Sequence, residues 1–231
     1  MATGCLSVAQ SLGTKVNSSL DVACARGYFV LAMREFKVNA WGVDISDWAL
    51  KNSPPSISQY LLRRDLNQDK LPFPDNVFEM VSSWETFEHL WNDDNAAREI
   101  YRVLADNGLF FFSAASRIND FWCSRLTGFK AEPLSHINSR LKSSWISFFI
   151  RHGFRYLFPF PKAFRRLAIS VNEPRASERA KVFYRLGRFG VELRNEIAYR
   201  ILSPALVFQK RRFERGSLRT NASETAWVHR I

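Results

Sequence analysis

Leu20-Asp21-Val22-Ala23-Cys24-Ala25-Arg26-Gly27-Tyr28-Phe29 is the stretch whose reading decides the fold. Ser19–Ala23 reads as a buried strand, and Tyr28–Phe36 as a helix with apolar residues at helical spacing. Between them lies a tight turn of the kind that presents backbone N–H groups to a ligand. Such turns favour glycine, which adopts positive φ freely and lets a ligand approach the backbone. Here only Gly27 is glycine, while Ala23 and Ala25 occupy the neighbouring alternate positions.

Outward from this loop the pattern repeats. Val38–Asp44 reads as a second strand, followed by a helix that begins near Ser46, a favourable N-cap. Pro54-Pro55 ends that helix, and Tyr60–Arg64 forms a third strand. Lys70–Asn76 is rich in turn residues and leads into a fourth strand, Phe78–Ser83. Asp94–Leu104 is a helix, Asp106-Asn107-Gly108 a turn, and Leu109–Ala114 a strongly apolar fifth strand. Ser143–His152 reads as helix, Phe154–Phe158 and Ala205–Lys210 as strands. This β-α alternation with near-continuous apolar strands predicts an α/β fold. It would be Rossmann-like and doubly wound, a mostly parallel sheet with helices on both faces. In such sheets ligands bind beyond the carboxyl ends of the strands, at the switch in strand order.

Composition sets the outer bounds. A chain of 231 residues, 46% hydrophobic and 24% charged, fits one domain. It divides into a cofactor-binding half, 1–116, and a substrate-side half, 117–231, with a helical insertion over about 159–203. The net charge of +11 is uneven. Residues 1–110 hold 10 Lys+Arg and 14 Asp+Glu, whereas residues 111–231 hold 23 and 8. The second half therefore attracts anionic partners, or is simply a solvated basic surface. Cys5, Cys24 and Cys123 are scattered and odd in number, as expected of reduced thiols in a cytoplasmic protein. No apolar run reaches the roughly 18 residues of a membrane span, and the N-terminus lacks the features of a signal peptide.

Two acids narrow the cofactor. Asp44, at the end of Gly42-Val43-Asp44-Ile45-Ser46, lies 21 positions after Ala23. An acid at that position binds ribose hydroxyls, and this spacing suits any adenosine cofactor. Asp21 separates the candidates. A carboxylate aimed at the loop repels the pyrophosphate of a dinucleotide, which argues against a nicotinamide-dependent oxidoreductase. S-adenosylmethionine has no phosphate and carries an ammonium and a sulfonium, which an acid-lined loop suits. Asp21 as a plain strand-end residue bonding backbone amides is the structural alternative.

From Ser19 to Ser116, and more weakly to Phe154, the chain resembles the class I S-adenosylmethionine-dependent methyltransferases of the small-molecule type, the methyltransferase domain 11 kind. The matching pieces are LDVACARGYF, GVDIS, RRDLNQDKLPFPDNVFEMVSSWETFEHL and AAREIYRVLADNGLFFFSAAS. The resemblance implies a seven-stranded sheet and S-adenosylmethionine as cofactor. It assigns Asp21 and the loop through Ala23, Ala25, Gly27 and Tyr28 to the methionine portion. Asp44 and Ile45 would meet the ribose, Asp65 and the Leu66 backbone the adenine edge, and Ser83 and Trp84 the methionine and the methyl group. Pro72, Phe73, Pro74 and Asp75 would be structural. Ala23 and Ala25 depart from the family's glycines, so weakened or shifted cofactor binding is expected. About 18 residues precede the first strand, so the helices that often cover the cofactor are expected to be absent or shortened.

The acceptor side carries fewer signals. Methyl transfer is an in-line displacement whose leaving thioether needs no acid, so alignment and exclusion of water dominate. His136 is the candidate base or substrate-positioning group, with a surface or capping role as the alternative. Glu85 and Glu88, three apart, could share a helical face. His89 reads as a structural residue near the pocket. No His/Cys cluster has metal spacing, so no metal is expected. FRYLFPFPKAFRRLAI and KVFYRLGRFGVELR interleave aromatics with cations. Such segments suit an anionic small-molecule, sugar- or lipid-linked acceptor, a peripheral membrane contact, or an amphipathic cover on the sheet. Nucleic acid is disfavoured, because Ser83-Trp84-Glu85-Thr86 stands where amino-group methyltransferases of bases carry an Asn/Asp-Pro-Pro-aromatic run. The alternative function is a non-catalytic module of the same fold that binds anionic surfaces.

Overall fold

The computed structural model describes residues 1–114, 136–157 and 206–211. Its elements are α1 (Ala2–Ser11), β1 (Ser18–Val22), α2 (Tyr28–Glu35), β2 (Asn39–Asp44), α3 (Asp47–Lys51), β3 (Leu61–Arg63) and β4 (Phe78–Trp84). They continue with α4 (Asp93–Val103), β5 (Leu104–Ser113), α5 (Lys142–Arg151), β6 (Phe154–Tyr156) and β7 (Leu206–Lys210). The seven strands form one sheet in the order β3-β2-β1-β4-β5-β7-β6. β1 to β5 are mutually parallel, and β7 pairs antiparallel with both β5 and β6.

Strand alternation divides the core into two layers. Leu20, Val22, Val43, Phe110, Phe112 and Phe208 pack on one face with α4 and α5. Ala40, Met80, Leu109, Phe111 and Val207 pack on the other with α1 and α2. Helices thus cover both faces, as the sequence pattern predicts. The first layer is dominated by aromatics, with Phe87, Phe110, Phe112, Trp145, Phe148 and Phe149 in mutual ring contact. Edge-to-face pairs of this kind add about 0.5–1.5 kcal/mol each beyond area burial.

Local signals place the helices. Ser46 caps α3, its Oγ accepting from the Ala49 N–H at 3.2 Å. Asn92 caps α4 in the same way through Asn95, with Asp93 and Asp94 in the first turn and Arg102 in the last. Arg102 also donates to the carbonyls of Leu71 and Phe73 and to Asp75. The proline-rich turn is therefore tied to α4, in keeping with its structural reading.

The short N-terminal run forms one ten-residue helix, α1, which buries Ala2, Cys5, Val8 and Ala9 in the cluster that holds Cys24, Val30 and Met33. Two expectations are corrected. Asp106-Asn107-Gly108 does not precede β5 but lies within it, as a shift of register between the Phe78–Leu104 and Met80–Leu109 pairs. A bulge here keeps pairing on both sides, with Asn107 absorbing the kink at φ 61°. Glu85 and Glu88 do not share a helical face. Glu85 takes positive φ before a single 3-10 turn, Phe87–His89. The segment read as a helical insertion, 159–203, and Cys123 lie outside the described residues.

Candidate functional site

The order of strands reverses between β1 and β4, which are neighbours in space and far apart in sequence. Asp21 and Ser82 face each other across this seam in register. The Ser82 hydroxyl donates to Asp21 Oδ1 at 2.6 Å. Burial pushes the Asp21 carboxyl up to about 7, against the lowering effect of the Ser82 bond and with a further push from the Asp44 charge. A carboxylate in this state gains most from a cation placed beside it. Serine 82 was missed by sequence reasoning, although two adjacent serines at the end of an otherwise apolar strand are a readable signal.

The loop after β1 keeps the backbone of a glycine-rich turn. Ala23, Ala25 and Gly27 all take positive φ, at 58°, 47° and 75°. Left-handed conformation costs a residue with a Cβ roughly 1–2 kcal/mol. The cost is met by tethering. The Ala25 N–H donates to Asp44 Oδ2 at 2.7 Å, the Cys24 N–H to the Val43 carbonyl at 3.0 Å, and the Gly27 N–H to the Cys24 carbonyl at 2.8 Å. The Ala23 methyl leans on the first core layer, and Ala25 is exposed. At Gly27 a side chain would be strained by φ 75° and would push aside the side-chain ends of Ile57 and Leu61, 2.7 and 2.8 Å from its Cβ. Gly42 is needed for a second reason, since a Cβ on it would lie 2.7 Å from Cys24 Sγ.

Asp44 holds the loop and the strand end together. Its Oδ1 accepts from the Ser46 N–H at 2.8 Å while Oδ2 takes the Ala25 N–H. Each oxygen keeps a second lone pair, so the carboxylate can still accept hydroxyls. The side chains of Ile45 and Tyr28 are exposed. Asp65 is engaged differently. Its carboxylate accepts from the Asn67 backbone and side-chain amides and from Gln68, and so shapes its own turn. Leu66 is buried beside it. Asn67, also missed, joins this turn to the start of α4 by accepting from the N–H groups of Trp91 and Asn92.

At the end of β4, Ser83 Oγ and Trp84 Nε1 are buried and have no hydrogen-bond partner among the described residues. Buried donors of this kind cost about 1–3 kcal/mol each when left unmade, so they fit a polar ligand. Together, a buried carboxylate seeking a cation, an acid able to accept hydroxyls and two unpartnered donors fit S-adenosylmethionine. His136 is half-buried, with its ring centroid 4.9 Å from that of His89. Glu85 accepts from Ser113 Oγ at 2.7 Å and Glu88 is fully buried.

Comparison with known proteins agrees with this geometry. A methyltransferase domain family model matches residues 20–112. A protein of Mycolicibacterium smegmatis named as an S-adenosylmethionine-dependent methyltransferase is 26% identical over 99 residues, 43% of this chain and 38% of its own. The mitochondrial arginine-hydroxylase NDUFAF5 of Rattus norvegicus is 32% identical over 94 residues, 40% of this chain and 27% of its own. The chain thus spans well under half the length of both curated relatives. Two solved structures share the fold. The YcgJ protein from Bacillus subtilis has a TM-score of 0.56 at 16% identity, covering 85% of this chain and 93% of that one. The [4+2]-cyclase SpnF has a TM-score of 0.52 at 19% identity, covering 84% and 75%. The seam between β1 and β4 and the acid-lined loop thus agree with the matched family model, and residues 20–112 are similar to a methyltransferase domain.

Proposed function

We propose that the chain is an S-adenosylmethionine-dependent methyltransferase that moves a methyl group to an oxygen or nitrogen of a small, sugar- or lipid-linked anionic acceptor. The observation that carries this reading is Asp21, a buried carboxyl at the switch in strand order, in a place suited to a cation. Bound there, S-adenosylmethionine supplies an electrophilic methyl on a sulfonium. Asp21 would hold the cationic methionine portion, Asp44 the ribose hydroxyls, and Ser83 and Trp84 the groups next to the methyl. The protein's work is then alignment and exclusion of water. The basic excess of residues 111–231 supports an anionic acceptor or a peripheral membrane contact. Among the described residues no helix is long and apolar enough to cross a membrane.

The test is calorimetry with S-adenosylmethionine. Micromolar binding is expected, weakened about tenfold or more in Asp21→Asn, because the neutral amide loses the attraction to the cation. Unchanged binding in that variant would remove the reading. A second reading, a non-catalytic module of this fold at anionic surfaces, draws on the same basic excess and on the strained alanines of the loop. Absent cofactor binding together with tight binding to anionic liposomes would favour that module.

A further inference from the structure

Glu88, His89 and His136 are brought together by contacts that no sequence spacing announces. Glu88 and His89 ride on the 3-10 turn that follows β4. Phe87, the first residue of that turn, is fully buried and packs its ring against Phe110, Phe112, Trp145, Phe148 and Phe149. The turn is therefore anchored from below. His136 arrives from a segment 47 positions later, clamped by Asn138. The Asn138 N–H donates to the Glu88 carbonyl at 2.9 Å, and its side-chain amide donates to the Leu90 carbonyl. One ligand atom from each of Glu88, His89 and His136 lies within 4.8 Å of the others.

We infer that these three side chains form a binding site for a divalent first-row transition-metal ion, at the acceptor side of the cofactor crevice. Two imidazoles and one carboxylate are a donor set for zinc, iron or manganese rather than for magnesium or calcium, which take oxygen ligands. Bonds of about 2.0–2.1 Å in a tetrahedral site space the ligand atoms about 3.4 Å apart. His89 is exposed and His136 half-buried, so an ion can reach the set from solvent. Three protein ligands leave a coordination position open, the arrangement of catalytic rather than structural metal sites. Glu88 and His89 lie four to six residues past Ser83 and Trp84, after the carboxyl end of β4, where a doubly wound sheet binds its ligands.

The chemical role rests on the methyl-transfer reading. An acceptor hydroxyl bound to the ion becomes more acidic and gives its proton to water. Its oxygen forms the new C–O bond as the methyl–sulfur bond breaks, and that electron pair stays with the thioether. His136 is then a ligand and not the base that the sequence suggests.

The experiment is calorimetric titration of the chelator-treated full chain with Zn²⁺ and, separately, with S-adenosylhomocysteine. About one Zn²⁺ per chain is expected. Affinity should fall about tenfold or more in both His89→Ala and His136→Ala, with far-ultraviolet circular dichroism unchanged. Asp94→Asn, an acid on α4 outside the set, should bind Zn²⁺ as the parent does. No bound ion, or binding unchanged in both histidine variants, overturns the site. The nucleoside titration keeps the two ideas apart. Zn²⁺ binding without S-adenosylhomocysteine binding supports the site and sinks the methyl-transfer reading, and the reverse result does the opposite.

Discussion

The loop after β1 and the turn after β4 leave the same end of neighbouring parallel strands, yet they hold their shapes by different means. Residues 23–27 sit in left-handed conformation at every second position and are tied by hydrogen bonds to β2, chiefly through Asp44. Residues 87–89 are held instead by one phenylalanine ring inside an aromatic cluster and by Asn138 from far along the chain. A ligand that needs backbone N–H groups at fixed positions is served by the first kind of rigidity. Side-chain ligands that must converge from two segments need the second. The difference teaches that the loop after β1 is determined locally and the turn after β4 by tertiary packing.

The largest expected effect breaks that second kind of rigidity. Phe87→Ala removes a fully buried ring from the cluster and should cost about 3–5 kcal/mol of stability. Urea unfolding monitored by tryptophan fluorescence measures it. A loss below about 1 kcal/mol would mean that the turn is held by its backbone alone, and the contrast between the two regions would vanish.

Next in size is the effect of pH on the buried acid. Asp21 titrates at about 7 when folded and has an ordinary value of 3.8. The folded state therefore binds more protons between these values, and stability falls as pH rises through that window, on the order of a few kcal/mol. Asp21→Asn should flatten the fall, so the variant is the more stable protein at pH 8 and close to the parent at pH 4. A cationic ligand selects the ionised form. Its affinity should drop toward tenfold per pH unit below about 7 in the parent and lose this dependence in the variant. Thermal unfolding across pH, with and without S-adenosylmethionine, checks both signs. Parallel curves for parent and variant would show that Asp21 is no more than a strand-end residue.

The same contrast explains how much the sequence discloses. The successive strands and the loop around residues 20–65 are legible because the signals are local: an apolar strand, a turn, an acid at fixed spacing. The register shift inside β5 is hidden, because Asp106-Asn107-Gly108 is also a good turn and only pairing to β4 and β7 keeps the strand continuous. α1 is hidden because its polar and apolar residues are poorly sorted between faces, and its burial depends on Val30 and Met33 from α2. The meeting of Glu88, His89 and His136 depends on Asn138 and on the Phe87 cluster, and no spacing rule joins residues 47 positions apart. Asp44 is legible as an acid at the end of the second strand, but its bond to the Ala25 N–H emerges only once the loop has its shape.

The smallest expected effect sharpens the account of the first region. Ala25 is exposed, its methyl packs on nothing large, and its φ of 47° is one that glycine adopts freely. Ala25→Gly relieves roughly 1–2 kcal/mol of left-handed strain and gives back about 0.4–1 kcal/mol through the greater freedom of the unfolded chain. A net gain of about 0.5–1 kcal/mol should raise Tm by about 1–4 °C for a chain of this size. Ala23→Gly should gain less or lose, because the Ala23 methyl touches the first core layer. Differential scanning calorimetry of the two variants separates strain from packing. If both lower Tm alike, the alanines are not strained, and the loop is held by more than its bonds to β2.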